Sequence, residues 1–138
     1  MAKGKQVTNK IPKWIMIWGL LMALLPAGFV IVAYINPGFY GEQWAGTDTS
    51  RLGDVYGNYV ARNAASALIM FFALWQRSAA MLIVAFLMRI FSDVFDTAHN
   101  IIAGTIDARY ITEATILIIV CLLAIYKLWP IYKDGHKS

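Results

Sequence analysis

The chain has 138 residues, of which 59% are hydrophobic and 14% charged, with a mean hydropathy of +0.58 and a formal net charge of +4. Soluble domains carry about 25% charged residues, so the composition excludes an ordinary soluble module and points to a single membrane domain with short loops. The positive charge implies no nucleic-acid partner, because its lysines gather at the two termini, where the positive-inside rule puts them in a membrane protein.

Residues 1–13 are polar and carry Lys3, Lys5, Lys10 and Lys13, as a cytoplasmic tail does. An apolar run follows over residues 14–35. A signal peptide has an apolar region of about 7–15 residues. This run is longer and no small-x-small cleavage site follows it, so it is expected to be a retained helix. Trp14 and Trp18 fall at its inner end and Tyr34 at its outer end, as an aromatic belt. Pro26 lies near mid-span, where a missing backbone donor is expected to kink the helix. Asn36-Pro37-Gly38 ends the run by turn chemistry. The outer loop, residues 36–54, holds Phe39, Tyr40 and Trp44, aromatics that suit anchoring at the membrane surface or a lid over the bundle.

A second span is predicted over residues 56–75. It is polar at its start and apolar from Ala67 onward. Asn58, Arg62 and Ser66 recur every four residues and form one stripe, while Ala61, Ala64, Ala65 and Ala67 allow close helix approach. Gln76-Arg77-Ser78 then reads as a tight turn that makes the second and third spans an antiparallel hairpin. The third span covers residues 79–98. Its first half is apolar, but Arg89, Asp93, Asp96 and Asn100 follow at spacings of four, three and four and share a face. Charges inside a span are costly, so they face the protein interior and pair. Residues 99–110 are predicted as a short outer connection. The fourth span covers 111–129, with Glu113 near its outer end, and Pro130 is expected to stop it before a basic tail. Cys121, the one cysteine, can form no internal disulfide and reads as a small core residue.

Arginine and lysine concentrate at the termini and in the Arg77 turn, which predicts that both ends are cytoplasmic. The expected fold is therefore all-α: a four-helix transmembrane bundle, one membrane domain over residues 1–138, placed in a bacterial inner membrane.

The intramembrane polar residues fall in the middle and outer layers. Asn58, Arg62, Arg89, Asp93, Asp96, Asn100 and Glu113 are expected to meet there, either as a fixed structural network or as a ligand-binding cluster. Arg62 and Arg89 nearly balance Asp93, Asp96 and Glu113. Arg89 can pair with Asp93 along its own helix, and Arg62 with Asp96 or Asp93 across helices. Asp93-x-x-Asp96-x-x-His99 has a spacing that could offer oxygen and imidazole ligands to a divalent ion, but the neighbouring arginines compete with a cation, and no metal is assigned. No nucleophile–base pair or phosphate loop is present, and His99 and His136 do not make a haem-binding pair. No catalytic residue or cofactor follows.

Three segments of the central hairpin resemble a known group. Tyr56-Gly57-Asn58-Tyr59-Val60-Ala61-Arg62-Asn63 looks like the start of the second helix in the DoxX-like small four-helix integral membrane proteins. Trp75-Gln76-Arg77 looks like their basic inner turn, and Arg89 with Asp93 and Asp96 like the polar ending of their third helix. The resemblance is concentrated in residues 54–98. It implies a four-helix membrane fold; members are variously linked to respiratory or thiol-related membrane complexes, and no family catalytic residue carries over.

Small size and missing catalytic chemistry lead to the expectation of a non-enzymatic subunit or accessory of a larger membrane complex. Its partners would be the bilayer and other membrane subunits, or copies of itself. The alternative is a small-molecule or lipid-headgroup pocket protein, or a membrane enzyme, that uses the Arg/Asp cluster. A transporter is a third option, which four helices would serve only as an oligomer.

Overall fold

The computed structural model describes residues 11–35, 52–104 and 108–135, with backbone only for 33, 52–59, 103 and 110. These residues form four α-helices and no strand: α1 Lys13–Ile35, α2 Leu52–Gln76, α3 Ala79–Ala103 and α4 Ala108–Gly135. The long loop predicted over residues 36–54 falls outside the described residues, apart from 52–54, which already belong to α2.

Among the described residues, two helices are long and apolar enough to cross a membrane. Their stretches Lys13–Val32 and Ile111–Gly135 reach mean hydropathies of 2.4 and 2.2, and only 28% and 22% of the most apolar parts are buried within the bundle.

Several boundaries differ from the sequence expectation, each for a local reason. α3 does not stop near residue 98. It runs through His99 and Asn100 until Gly104, whose φ of 69° is left-handed and whose N–H returns to the carbonyls of Asn100 and Ile101. Glycine takes this backbone conformation without the Cβ penalty, and such a residue is the common helix stop. Pro130 does not end α4, which continues to Gly135. Proline fits helical φ; it loses the hydrogen bond to the carbonyl four residues back and its ring crowds that carbonyl, a local cost of about 3 kcal/mol that the rest of the helix absorbs here. α1 likewise passes through Pro26 without interruption.

The predicted α2–α3 turn is present. Arg77 adopts a φ of 48° and its N–H meets the Leu74 carbonyl at 3.2 Å. Ser78 then caps α3, its hydroxyl accepting from the Met81 N–H at 3.4 Å. Such a cap satisfies one of the free donors of a helix start.

α1 packs mainly along α2 and α3 along α4, while α2 and α3 share a smaller contact. The α1–α2 seam is close because Gly19 faces Leu74: a Cβ on Gly19 would lie 2.9 Å from Leu74 Cδ2. One core joins all four helices through Ile15, Met22, Met70, Leu82, Phe86, Cys121 and Leu128, all essentially inaccessible. Trp18 Nε1 donates to Cys121 Sγ at 3.4 Å and ties α1 to α4. This core occupies the half of the bundle nearer the Arg77 turn, which leaves the other half to the polar residues.

Candidate functional site

In the half nearer Gly104, α2, α3 and α4 enclose a polar cavity of about 190 Å³. α2 contributes Arg62, Asn63 and Ser66; α3 contributes Arg89, Ser92, Asp93 and Asp96; α4 contributes Glu113, Ala114 and Leu117. On α3 the spacing of three and four residues puts all four polar side chains on one helix face. The apolar residues between them, Phe91, Val94 and Phe95, point outward and are exposed.

Two ion pairs organise the cavity. Arg62 Nη2 donates to both oxygens of Asp96, at 2.9 and 2.8 Å, joining α2 to α3. The guanidinium uses one nitrogen here, so this is not the two-nitrogen fork that arginine often makes. Arg89 Nη2 lies 3.2 Å from Asp93 Oδ1 within α3. This second pair is the deeper one, with side chains 17% and 10% exposed against 39% and 23% for the first. It is also incompletely satisfied. Among the described residues, Arg89 Nε and Asp93 Oδ2 are buried and have no hydrogen-bond partner. An orphaned buried polar group costs about 1–3 kcal/mol, more when it is charged, so two of them in one ion pair mark a place that packing alone does not explain.

Glu113 corrects the expected charge balance. It borders the cavity, but its ion partner is Arg109 on its own helix, at 3.2 Å, and both side chains are largely exposed. An exposed pair of this kind contributes roughly 0.2–1 kcal/mol. Asn100 lies on α3 beyond the cavity lining and is half-buried. Asn58 belongs to α2, but its side chain lies outside the described residues.

The weighed metal set does not assemble. Asp96 gives both oxygens to Arg62, and His99 is exposed. Among the described residues no three His, Cys, Asp or Glu side chains are grouped to hold a metal ion.

Asn63 and Ser92 were not singled out by spacing, and Ser66 only as part of the Asn58–Arg62–Ser66 stripe, yet all three line the cavity. Spacing offered a signal for two of them, since Ser66 is four residues from Arg62 and Ser92 three from Arg89; Asn63 had no such spacing, and its burial shows only in the structure. Thr97, Thr112 and Thr115 turn their hydroxyls back to carbonyls of their own helices, those of Asp93, Ala108 and Ile111.

No family model, curated protein or solved structure matches this chain.

Proposed function

We propose that the chain is an integral membrane protein of four spans with both ends in the cytoplasm, and that the outer half of its bundle binds a small polar molecule. The cavity formed by Arg62, Arg89, Asp93 and Asp96 carries the functional part of this reading. Membrane residence is supported by the outer surface. Leu21, Leu25 and Ile31 on α1, Leu68 and Phe72 on α2, Phe91 and Phe95 on α3, and Ile119 and Leu123 on α4 are all exposed. Apolar side chains spread around four helices suit lipid rather than water.

Size restricts the ligand. At about 30 Å³ per water, a cavity of about 190 Å³ holds on the order of six waters, below the drug-sized range of about 300–1,000 Å³. Charge restricts it further. Both arginines already face carboxylates, so a simple anion or cation would meet a compensated site. A zwitterion, or a neutral molecule offering a donor and an acceptor, would satisfy Asp93 Oδ2 and Arg89 Nε together. A solute of that kind and a zwitterionic lipid headgroup share this chemistry.

Native mass spectrometry of the protein extracted gently from its own membrane tests the pocket. A reproducible small added mass, lost in both Arg62→Gln and Asp93→Asn while the helical content is kept, is the expected result. Its absence from the wild-type chain overturns the pocket.

A subunit role in a larger complex is the second reading, and one observation favours it. Ala61, Ala65, Leu68, Phe72 and Trp75 recur along α2 at spacings of four, three, four and three, and all are exposed. That pattern is the seam by which helices pack. A defined larger assembly in the same mass spectrum would support it. The DoxX-like resemblance of residues 54–98 accords with either reading.

A further inference from the structure

At the opposite end of the bundle, α4 carries a surface groove formed by Leu122, Ile125, Tyr126, Lys127, Trp129 and Pro130. We propose that this groove binds one anionic phospholipid of the cytoplasmic leaflet, its acyl chain along Leu122 and Ile125 and its phosphate between Lys127 and Lys133. The assignment rests on the membrane reading given above and concerns a site separate from the polar cavity.

Three observations converge on it. The first is the change in chemistry along the groove. Its start is aliphatic, its end is aromatic and basic, and that order matches an acyl chain passing into a headgroup. The second is the placement of charge. Lys133 follows Trp129 by four residues and Pro130 by three, so it continues the same helix face, and its Nζ lies 5.8 Å from the centre of the Trp129 ring. Tyr132 packs against that ring at 5.5 Å. Lys127 flanks the groove from the other side. Asp134, seven residues after Lys127, is the acidic residue near this end of α4, so the two lysines exceed the local negative charge by one. The third is Pro130. It supplies no N–H, so the Tyr126 carbonyl lacks its ordinary donor four residues on. That carbonyl belongs to a residue of the groove and can accept from a headgroup hydroxyl. An anionic headgroup that also bears hydroxyls, such as phosphatidylglycerol, therefore fits better than a bare phosphate.

Attraction to anionic lipid is worth about fivefold in local concentration per lysine, so with a net excess of one positive charge after Asp134 is counted an enrichment of about fivefold at the groove is expected. The full chain is reconstituted in phosphatidylcholine vesicles doped equally with either acyl-brominated phosphatidylglycerol or acyl-brominated phosphatidylcholine. Bromine quenches tryptophan at short range. Stronger quenching by the brominated phosphatidylglycerol is expected. The excess should fall in Trp129→Phe, which removes the groove's own reporter and leaves the chain's other four tryptophans, and in Lys127→Gln/Lys133→Gln, which removes the charge. Equal quenching by the two lipids, or an excess undiminished in both variants, overturns the site; a groove covered by a second copy of the chain would give the equal result. A chain that alkaline carbonate strips from the vesicles overturns the membrane reading, and the site with it.

Discussion

Arg62 on α2 reaches both carboxylate oxygens of Asp96 on α3 through a single nitrogen, at 2.9 and 2.8 Å. Among the described residues it is the ion pair that joins these two helices, whose contact is smaller than those of the other adjacent pairs. Because the side chains are 39% and 23% exposed, its worth lies between that of a solvated and a buried pair. Arg62→Gln is expected to lower stability by about 1–2 kcal/mol. Combining it with Asp96→Asn should recover part of the loss, since two amides can pair and no charge is left over. Chemical denaturation of the two single variants and the double variant in detergent gives the coupling energy. A coupling near zero would show that the pair does not hold α2 to α3.

The Arg89–Asp93 pair should behave differently because it is deeper and carries both orphaned atoms. Removing one partner leaves a buried charge and is expected to cost about 3–5 kcal/mol. Replacing both, as in Arg89→Met/Asp93→Leu, should leave stability within about 1–2 kcal/mol of the wild type, because apolar pairs often substitute well for buried ions. The double variant should nonetheless lose the small bound mass. Thermal unfolding read beside mass spectrometry separates the two roles. A double variant that keeps the mass would exclude the pair from the binding site.

The α1–α2 seam gives a steric prediction. In Gly19→Ala the new methyl crowds the flexible tip of Leu74 and makes ordinary contact with Leu74 Cγ and Met70 Sδ, at 3.6 and 3.7 Å. The gain in helix propensity, about 1 kcal/mol, offsets the crowding, and the change should be close to neutral. Gly19→Leu cannot be absorbed in this way and is expected to cost about 1–3 kcal/mol through overpacking. Denaturation midpoints of the two variants test this, and equal midpoints would contradict the close approach.

Cys121 is fully buried and receives the Trp18 indole N–H. A thiol in that position reacts only when the bundle opens. Maleimide labelling, followed by intact mass, should therefore track global unfolding and be negligible in the folded protein. Trp18→Phe removes the donor and weakens the α1–α4 contact, so labelling should become faster. Rapid labelling of the native chain would place Cys121 outside the core.

α1 and α4 were legible as long apolar runs, α2 and α3 by their apolar halves and the spacing of the polar residues between them, and the Arg77 turn because Gln76-Arg77-Ser78 breaks the run cleanly. Helix ends were less legible. His99 and Asn100 look like loop residues, yet nothing stops the helix before Gly104 supplies a left-handed cap. Pro130 looks like a stop, yet it interrupts only one backbone bond. In the candidate site, the intervals between Arg62, Arg89, Asp93 and Asp96 on their helices were enough to bring them together. Which partners pair was not legible. Arg62 could have met Asp93 or Asp96, and the choice depends on how far α2 is shifted along α3, a register set by packing across the whole bundle. Glu113 shows the same limit, since Arg109, four residues before it, is a nearer partner than either cavity arginine.

The uneven distribution of hydropathy bears on how the chain is made. On the membrane reading proposed above, α1 and α4, the two helices long and apolar enough to cross a bilayer, would each partition into the lipid unaided. α2 and α3 bring Arg62, Arg89, Asp93 and Asp96 with them and cannot shed that burden separately. The turn at Arg77 makes them adjacent as soon as both have been synthesised, and the Arg62–Asp96 bond neutralises one charge of each. Under the proposed four-span reading, biogenesis would then insert the α2–α3 hairpin as one unit beside α1, with α4 arriving last to seal its polar side.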